Sequence, residues 1–401
     1  MSAEWKHCQL GDVIELKRGY DLPQKERQPG SVPLVSSSGV SDTHSVAKVR
    51  GPGVITGRYG TIGIVYFVED DFWPLNTTLY VRDFKGNDPQ FVSYFLRGID
   101  FHAYSDKAAV PGLNRNHLHE AKVLFPPLSK QRAIAATLGA LDDKIELNRK
   151  MNATLGAMAR ALFRDWFVDF GPTRAKSEGR APYLFPDLWP LFPDRLDADG
   201  KPEGWKEKPL DEIANFLNGL ALQKFPGDGE ADSLPVIKIA ELRNGITEKS
   251  NRASRRVPPQ YVIQNGDFLF SWSGSLLAKF WTGGEGALNQ HLFKVTSNRY
   301  PGWFFSEWVQ HHLEEFQIIA ASKATTMGHI QRGHLKAAMT ICPPDNIITR
   351  LGEVVAPLID RIVRNELESR TLAQTRDLLL PRLMSGDLRV SEAARLAEEV
   401  A

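Results

Sequence analysis

The sequence predicts an α+β chain. Two similar mixed α/β globular halves are separated by two long antiparallel helices, which pair as a coiled-coil spacer about a pseudo-twofold axis. Three observations carry this expectation. The chain repeats itself at long range, each copy closes on a proline pair, and each proline pair is followed by a long heptad-patterned stretch. With 401 residues, 42% apolar and 24% charged, the chain has the balance of globular domains with real cores.

The duplication is read from ordered matches. Trp5-Lys6, Leu10, Asp12, Val13, Gly19 and Leu22 are answered by Trp205-Lys206, Leu210, Glu212, Ile213, Gly219 and Leu222. Arg58-Tyr59-Gly60-Thr61-Ile62 pairs with Trp272-Ser273-Gly274-Ser275-Leu276, and Leu75-Asn76 with Leu288-Asn289. Asn114-Arg115-Asn116-His117-Leu118 pairs with Gln331-Arg332-Gly333-His334-Leu335, and Pro126-Pro127 with Pro343-Pro344. One such match is chance or turn chemistry; several in one order are two copies of a module. The spacing is far beyond the roughly 50 residues of a solenoid unit.

The first globular half is expected over 1–127 and ends at Pro126-Pro127, since a proline pair cannot continue a central strand. The first helix follows over 128–170. Its seam is Ile134, Leu138, Leu141, Ile145, Asn148, Asn152, Leu155, Ala159, Leu162 and Trp166, with Ser129 as a possible cap and Gly171-Pro172 as the stop. A central linker spans 171–204, rich in proline and aromatics; Tyr183, Phe185, Trp189 and Phe192 suit packing against a surface better than a free tether. The second globular half spans 205–344.

The second helix, 345–388, carries the seam Leu351, Val355, Leu358, Ile362, Asn365, Ser369, Leu372, Arg376, Leu379 and Leu383. Asp345 or Asn346 can cap it. Pro357 predicts a kink and Pro381 a bend or termination, because each removes a backbone donor. Residues 389–401 are left as a C-terminal tail. A helix of about 40 residues spans about 60 Å and cannot hide its seam alone. Antiparallel pairing would bring Asn148 and Asn365 together and use them to fix register; two exposed asparagines are the alternative.

Composition excludes several classes of function. A formal charge of +1 rules out a polycationic coat, so nucleic-acid contact must come from local patches. Two cysteines, Cys8 and Cys342, make neither a disulfide framework nor a four-cysteine zinc site, which suits a reducing, cytoplasmic setting. No apolar run suggests a membrane span. Phosphate-loop, GxSxG and HExxH patterns are lacking, and the pairs His117/His119 and His311/His312 supply no ligand set. Asp187, Asp199 and Lys201 imitate a nuclease's acid–acid–lysine arrangement, but DADGKPEG reads as a turn.

Basic stretches poor in acids are more informative: Lys48, Arg50 and Arg58; Lys249, Arg252, Arg255 and Arg256; Lys323, Arg332 and Lys336. Polar and aromatic residues interleave with them. Such groups can give salt-dependent phosphate contacts and base discrimination. In the first half the candidates are Arg58, Tyr59, Thr61, Asn76, Lys107, Asn114 and Arg115. In the second they are Trp272, Ser273, Ser275, Asn289, Gln290, Lys323, Thr325, Gln331 and Arg332. Gly57, Gly60 and Gly63 either let backbone approach a phosphate or simply make turns.

On these features the chain resembles the specificity subunit of type I restriction–modification systems. The resemblance runs over essentially the whole chain. PPLSKQRAIAATLGALDDKIELNRKMN resembles the family's first conserved helix, ALFRDWFVDFGPTRAKSEGR its exit and central linker, and RDLLLPRLMSGDL the end of its second helix. The resemblance implies two target recognition domains, each reading one part of a split double-stranded DNA target, with helices that hold them apart. It implies no chemistry and no cofactor or metal on this chain. It also implies two modification subunits that bind S-adenosylmethionine and methylate adenine, and motor-nuclease subunits that use ATP and magnesium. Phe163, Trp166, Phe167 and Phe170 are then candidates for docking a modification subunit, or else they pack within this chain.

Overall fold

The computed structural model describes residues 5–105, 112–227, 229, 231–322 and 328–400. The first half contains strands β1 (Lys6–Gln9), β2 (Glu15–Arg18), β3 (Val32–Ser36), β4 (Gly39–His44), β5 (Gly53–Gly57), β6 (Val65–Val68), β7 (Trp73–Pro74), β8 (Thr78–Asp83) and β9 (Lys122–Phe125). Its helices are α1 (Leu10–Val13), α2 (Pro89–Arg97) and α3 (Arg115–His119). The long helix α4 (Leu128–Phe163) and the short α5 (Gly171–Ser177) follow.

The second half contains β10 (Lys206–Pro209), β11 (Asn215–Asn218), β12 (Leu234–Ile237), β13 (Arg252–Ala253), β14 (Val262–Ile263), β15 (Phe268–Ser271), β16 (Ala278–Phe280), β17 (Gly286–Leu288), β18 (Leu292–Thr296) and β19 (Met339–Cys342). Its helices are α6 (Leu210–Ile213), α7 (Ile239–Asn244), α8 (Gly302–Ser322) and α9 (Arg332–Ala337), followed by α10 (Asp345–Ser385) and α11 (Val390–Glu398).

The sheets repeat. One four-stranded sheet has the order β2-β8-β5-β6 and its counterpart β11-β18-β15-β16. A parallel β3·β7 pair has its counterpart in β12·β17, and the β1·β9 ladder has its counterpart in β10·β19. Alternation explains the core: Leu16, Val54, Leu79 and Val81 turn inward in one sheet, and Phe216, Phe268, Phe270, Phe293 and Val295 in the other. The second is markedly more aromatic.

The chain divides into two compact units, Met1–Leu147 with Glu368–Ala401, and Asn148–Leu367. Each long helix therefore gives one part to each unit. In the first unit, Lys144 faces Glu368 at 3.3 Å, and Asp142 holds Arg376. In the second, Asn148 Nδ2 donates to Asn365 O at 3.4 Å, Asn365 Nδ2 to Asn152 Oδ1 at 2.8 Å, and Asn152 Nδ2 to Ile362 O at 3.2 Å. In both, rising numbers on α4 meet falling numbers on α10, so the helices pair antiparallel. All twenty seam positions named above are buried or half-buried.

Several local expectations are corrected. The helix α10 runs through Pro357 and Pro381 without interruption. Both prolines are exposed, so solvent can satisfy the freed carbonyls, while Val355 and Ile359, then Leu379 and Leu383, anchor the buried face. Ser129 lies inside α4, which begins one residue earlier, at Leu128. Gly171-Pro172 opens α5 instead of ending the chain's helical course, after a π-turn over Arg164–Val168 and a left-handed Phe170 (φ 54°). Residues 389–401, expected as a tail, include helix α11, whose Ala393 and Ala397 are buried in the first unit.

Candidate nucleic-acid interface

The loops that carry the candidate residues are fixed by the same backbone bonds in both lobes. Gly19 N donates to Thr78 O, and Gly219 N to Leu292 O. Tyr20 N donates to Pro74 O at 2.8 Å, and Leu220 N to Leu288 O at 3.0 Å. Arg58 N donates to Thr77 O at 2.8 Å, Trp272 N to His291 O at 3.3 Å, and each strip is closed by Leu113 N to Arg58 O or Ile330 N to Trp272 O. At Gly19 an added Cβ would lie 2.2 Å from Leu75 O, and at Gly219 2.2 Å from Asn289 O, so only glycine permits this approach.

This frame corrects one pairing. Thr78 N donates to Leu75 O and Leu292 N to Asn289 O, so Leu75 corresponds to Asn289 and Asn76 to Gln290. The shared Leu-Asn dipeptide had suggested a match one residue off. Identical letters outweighed geometry there.

In the first lobe, Arg58, Tyr59, Asn114 and Arg115 come together around one cleft of about 460 Å3, with Arg18 on its wall. The Asn114 side chain accepts from Asn116 N at 3.0 Å and caps α3. Helix α3 is held at its other end by His119, whose Nε2 accepts from Leu16 N at 2.9 Å; burial, then Arg115, lowers the His119 pKa. The Asn76 amide is engaged by Asp21. Thr61 is half-buried between Gly60 and Ile62. Lys107 lies outside the described residues, as do Lys323 and Thr325 of the second lobe.

In the second lobe, Trp272 Nε1 donates to Asn218 Oδ1 at 2.8 Å and to Gln290 O at 3.1 Å. Ser273 Oγ bonds His291 Nδ1 at 2.9 Å, and Gln290 Nε2 stands 3.4 Å from His291 Nε2. Ser275 is exposed, and the Gln331 backbone N–H donates to His334 Nδ1 at 2.9 Å. Asn289 is buried on the wall of a separate cleft of about 330 Å3 with Gln223, Lys238, Asn251 and Arg252. Arg18, Asn218 and His291 were missed by sequence reasoning. The first two stand immediately before the equivalent Gly19 and Gly219, which is the signal that could have found them.

Other expectations change. Arg255 is neutralised by Asp232 at 2.8 Å and Glu285 at 2.7 Å, and Arg252 is tied to Ser233, so two of the four basic residues of that stretch are engaged within the lobe. Phe163, Trp166, Phe167 and Phe170 are buried in the second lobe's core against Trp205, Trp303, Phe304 and Trp308, which leaves them no face for a partner. In the linker, Phe192 is buried, Trp189 meets Tyr183 edge-on at 5.6 Å, and Tyr183 Oη donates to Asp165, whereas Phe185 is exposed. Asp197 Oδ1 accepts from Asp199 N and Lys201 N, the bonding of a turn. No metal-holding group of three acids, histidines or cysteines occurs among the described residues, and no described helix is long and apolar enough to cross a membrane.

Two duplicated lobes on paired helices, each presenting loops from the same backbone frame, are what the structure defines. Comparison with known proteins gives its family. The type I restriction modification DNA specificity domain matches residues 2–157 and 202–374, and the chain belongs to that family. It is a specificity subunit, the non-catalytic DNA-recognition component of a type I restriction–modification system, with two target recognition domains. It is 25% identical over 363 residues to the MjaIX specificity subunit of Methanocaldococcus jannaschii, covering 86% of this chain and 79% of that one. To the HindI specificity subunit of Haemophilus influenzae it is 23% identical over 335 residues, covering 71% and 73%. The fold is shared with the crystal structure of the type I S subunit from M. genitalium (TM-score 0.57, 15% identity, 95% and 96% covered).

Proposed function

We propose that each lobe reads one part of a split double-stranded DNA target, and that the paired helices set the unread interval between the parts. In this reading the chain anchors two modification subunits that use S-adenosylmethionine to methylate adenine, and motor-nuclease subunits that use ATP and magnesium. It works in the cytoplasm and supplies the address alone. The observation that carries the reading is one backbone frame holding two unlike sets of side chains, Arg58, Tyr59 and Arg115 against Trp272 and Arg332, with a buried Ser273 at the position of Tyr59. A single frame suits docking on a regular duplex; unlike side chains suit unlike half-sites.

Methylome sequencing of cells with and without the chain tests this. A modified split motif should appear only with the chain. Replacing residues 205–344 by the corresponding part of a relative should change one half of the motif and leave the other. Inserting seven residues into each helix, about 10 Å of rise, should lengthen the interval. Absence of any chain-dependent motif in cells that hold all partner subunits would sink the reading.

A further inference from the structure

The first lobe has a cleft at a place where the second lobe carries different, mutually bonded side chains. Its walls include Arg18, Arg58, Tyr59, Leu113, Asn114 and Arg115, so three arginines border it and no carboxylate among the described residues lines it. Asp21 pairs with Arg18 at 3.5 Å and leaves the other two uncompensated by it. Arg58 is held in place. Its guanidinium lies 4.5 Å from the Tyr59 ring centre, and its Nη2 donates to Tyr59 Oη at 3.2 Å. Stacking of this kind fixes the plane of the fork before any ligand arrives.

The backbone frame puts Asn218, Trp272, Ser273 and Arg332 at the positions of Arg18, Arg58, Tyr59 and Arg115. There the side chains are engaged with one another. The Trp272 ring lies 6.0 Å from Phe293 and 5.8 Å from His291, pinned by its bond to Asn218. Arg332 lies 5.8 Å from the Phe293 ring centre and donates to Phe216 O at 3.2 Å.

We propose that the arginine cleft of the first lobe is a guanine-reading pocket. The proposal rests on the reading of the lobes as DNA readers. Guanine presents two acceptors, O6 and N7, side by side in the major groove, and a planar guanidinium matches them with two parallel donors. A phosphate can also take two parallel donors, but it gains nothing from apolar walls; Tyr59, Leu79 and Leu113 beside these arginines suit the flat edge of a base. The second lobe, with an indole and amides in the same place, takes a different base there.

The test uses the full chain assembled with its modification subunits, selected against random double-stranded DNA with the bound sequences read. The wild-type complex should return a split motif with guanine in one half. Arg58→Ala should cut discrimination at that guanine by about 5- to 150-fold, the span of one lost bidentate base contact. Arg115→Ala, at an exposed side chain, should weaken the same half. Trp272→Ala should alter only the other half. Weakening that is uniform across sequences, with a salt slope lowered by about one, means phosphate and overturns the pocket. Guanine preference unchanged in both arginine variants overturns it too. A wild-type complex that returns no split motif overturns the underlying DNA reading as well, and so is told apart from the other two failures.

Discussion

Glu307 shows how one buried carboxyl can set a pH response. It sits in α8 beside a cavity of about 320 Å3 with Arg160, Gln310 and Glu366, and burial pushes its pKa up to about 7, with Arg160 opposing. The folded chain therefore keeps a proton that the unfolded chain releases near its ordinary value of 4.5. Stability falls as pH rises from the ordinary value towards the raised one, and the penalty is complete above it. Glu307→Gln should be close to neutral at acidic pH and stabilising by up to about 3 kcal/mol at pH about 8, which urea unfolding at the two pH values measures. Nothing in the sequence announced this residue. Which face of this helix turns inward depends on partners such as Phe163 and Arg160, more than a hundred residues away.

Helices were the most legible elements, because a seam of ten positions integrates weak signals that single residues do not carry. Helix ends were less legible, since Ser129 and Gly171-Pro172 fit caps by local chemistry but tertiary packing moved both boundaries. The aromatic exit of α4 was open to two readings from sequence and is core. Phe167→Ala should therefore cost about 3–5 kcal/mol, seen as a lower unfolding midpoint. A change in partner binding with unaltered stability would contradict the buried placement. Further along the same pair of helices, Asp142 accepts from Tyr94 Oη at 2.6 Å and also holds Arg376 and Arg97. Asp142→Ala leaves the buried Tyr94 phenol without its acceptor and Arg376 with Asp377 alone, and should cost about 1–3 kcal/mol, measured by denaturant titration.

At the scale of the molecule, the hydrophobic clusters do not mix. Those built on Leu16, Leu79 and Leu372 stay within one unit, and those built on Phe167, Phe270 and Leu351 within the other. Calorimetry should resolve two unfolding transitions, with Asp142→Ala lowering one and Phe167→Ala the other; a single transition shifted alike by both would contradict this. The duplication was readable from sequence at this scale because glycines, prolines and tryptophans recur in order. The interface was readable only as loops. Side chains such as Arg18 and His291 acquire meaning from neighbours that the fold supplies.

The twin lobes hang their outward side chains from amide-to-carbonyl bonds, and those bonds ask almost nothing of residue type. Arginine in one lobe and tryptophan in the other depend from the same N–H. A new half-address can thus arise by exchanging a few letters at the rim while the folding free energy of the lobe stays nearly constant. Such a chain can change what it recognises faster than it changes what it is.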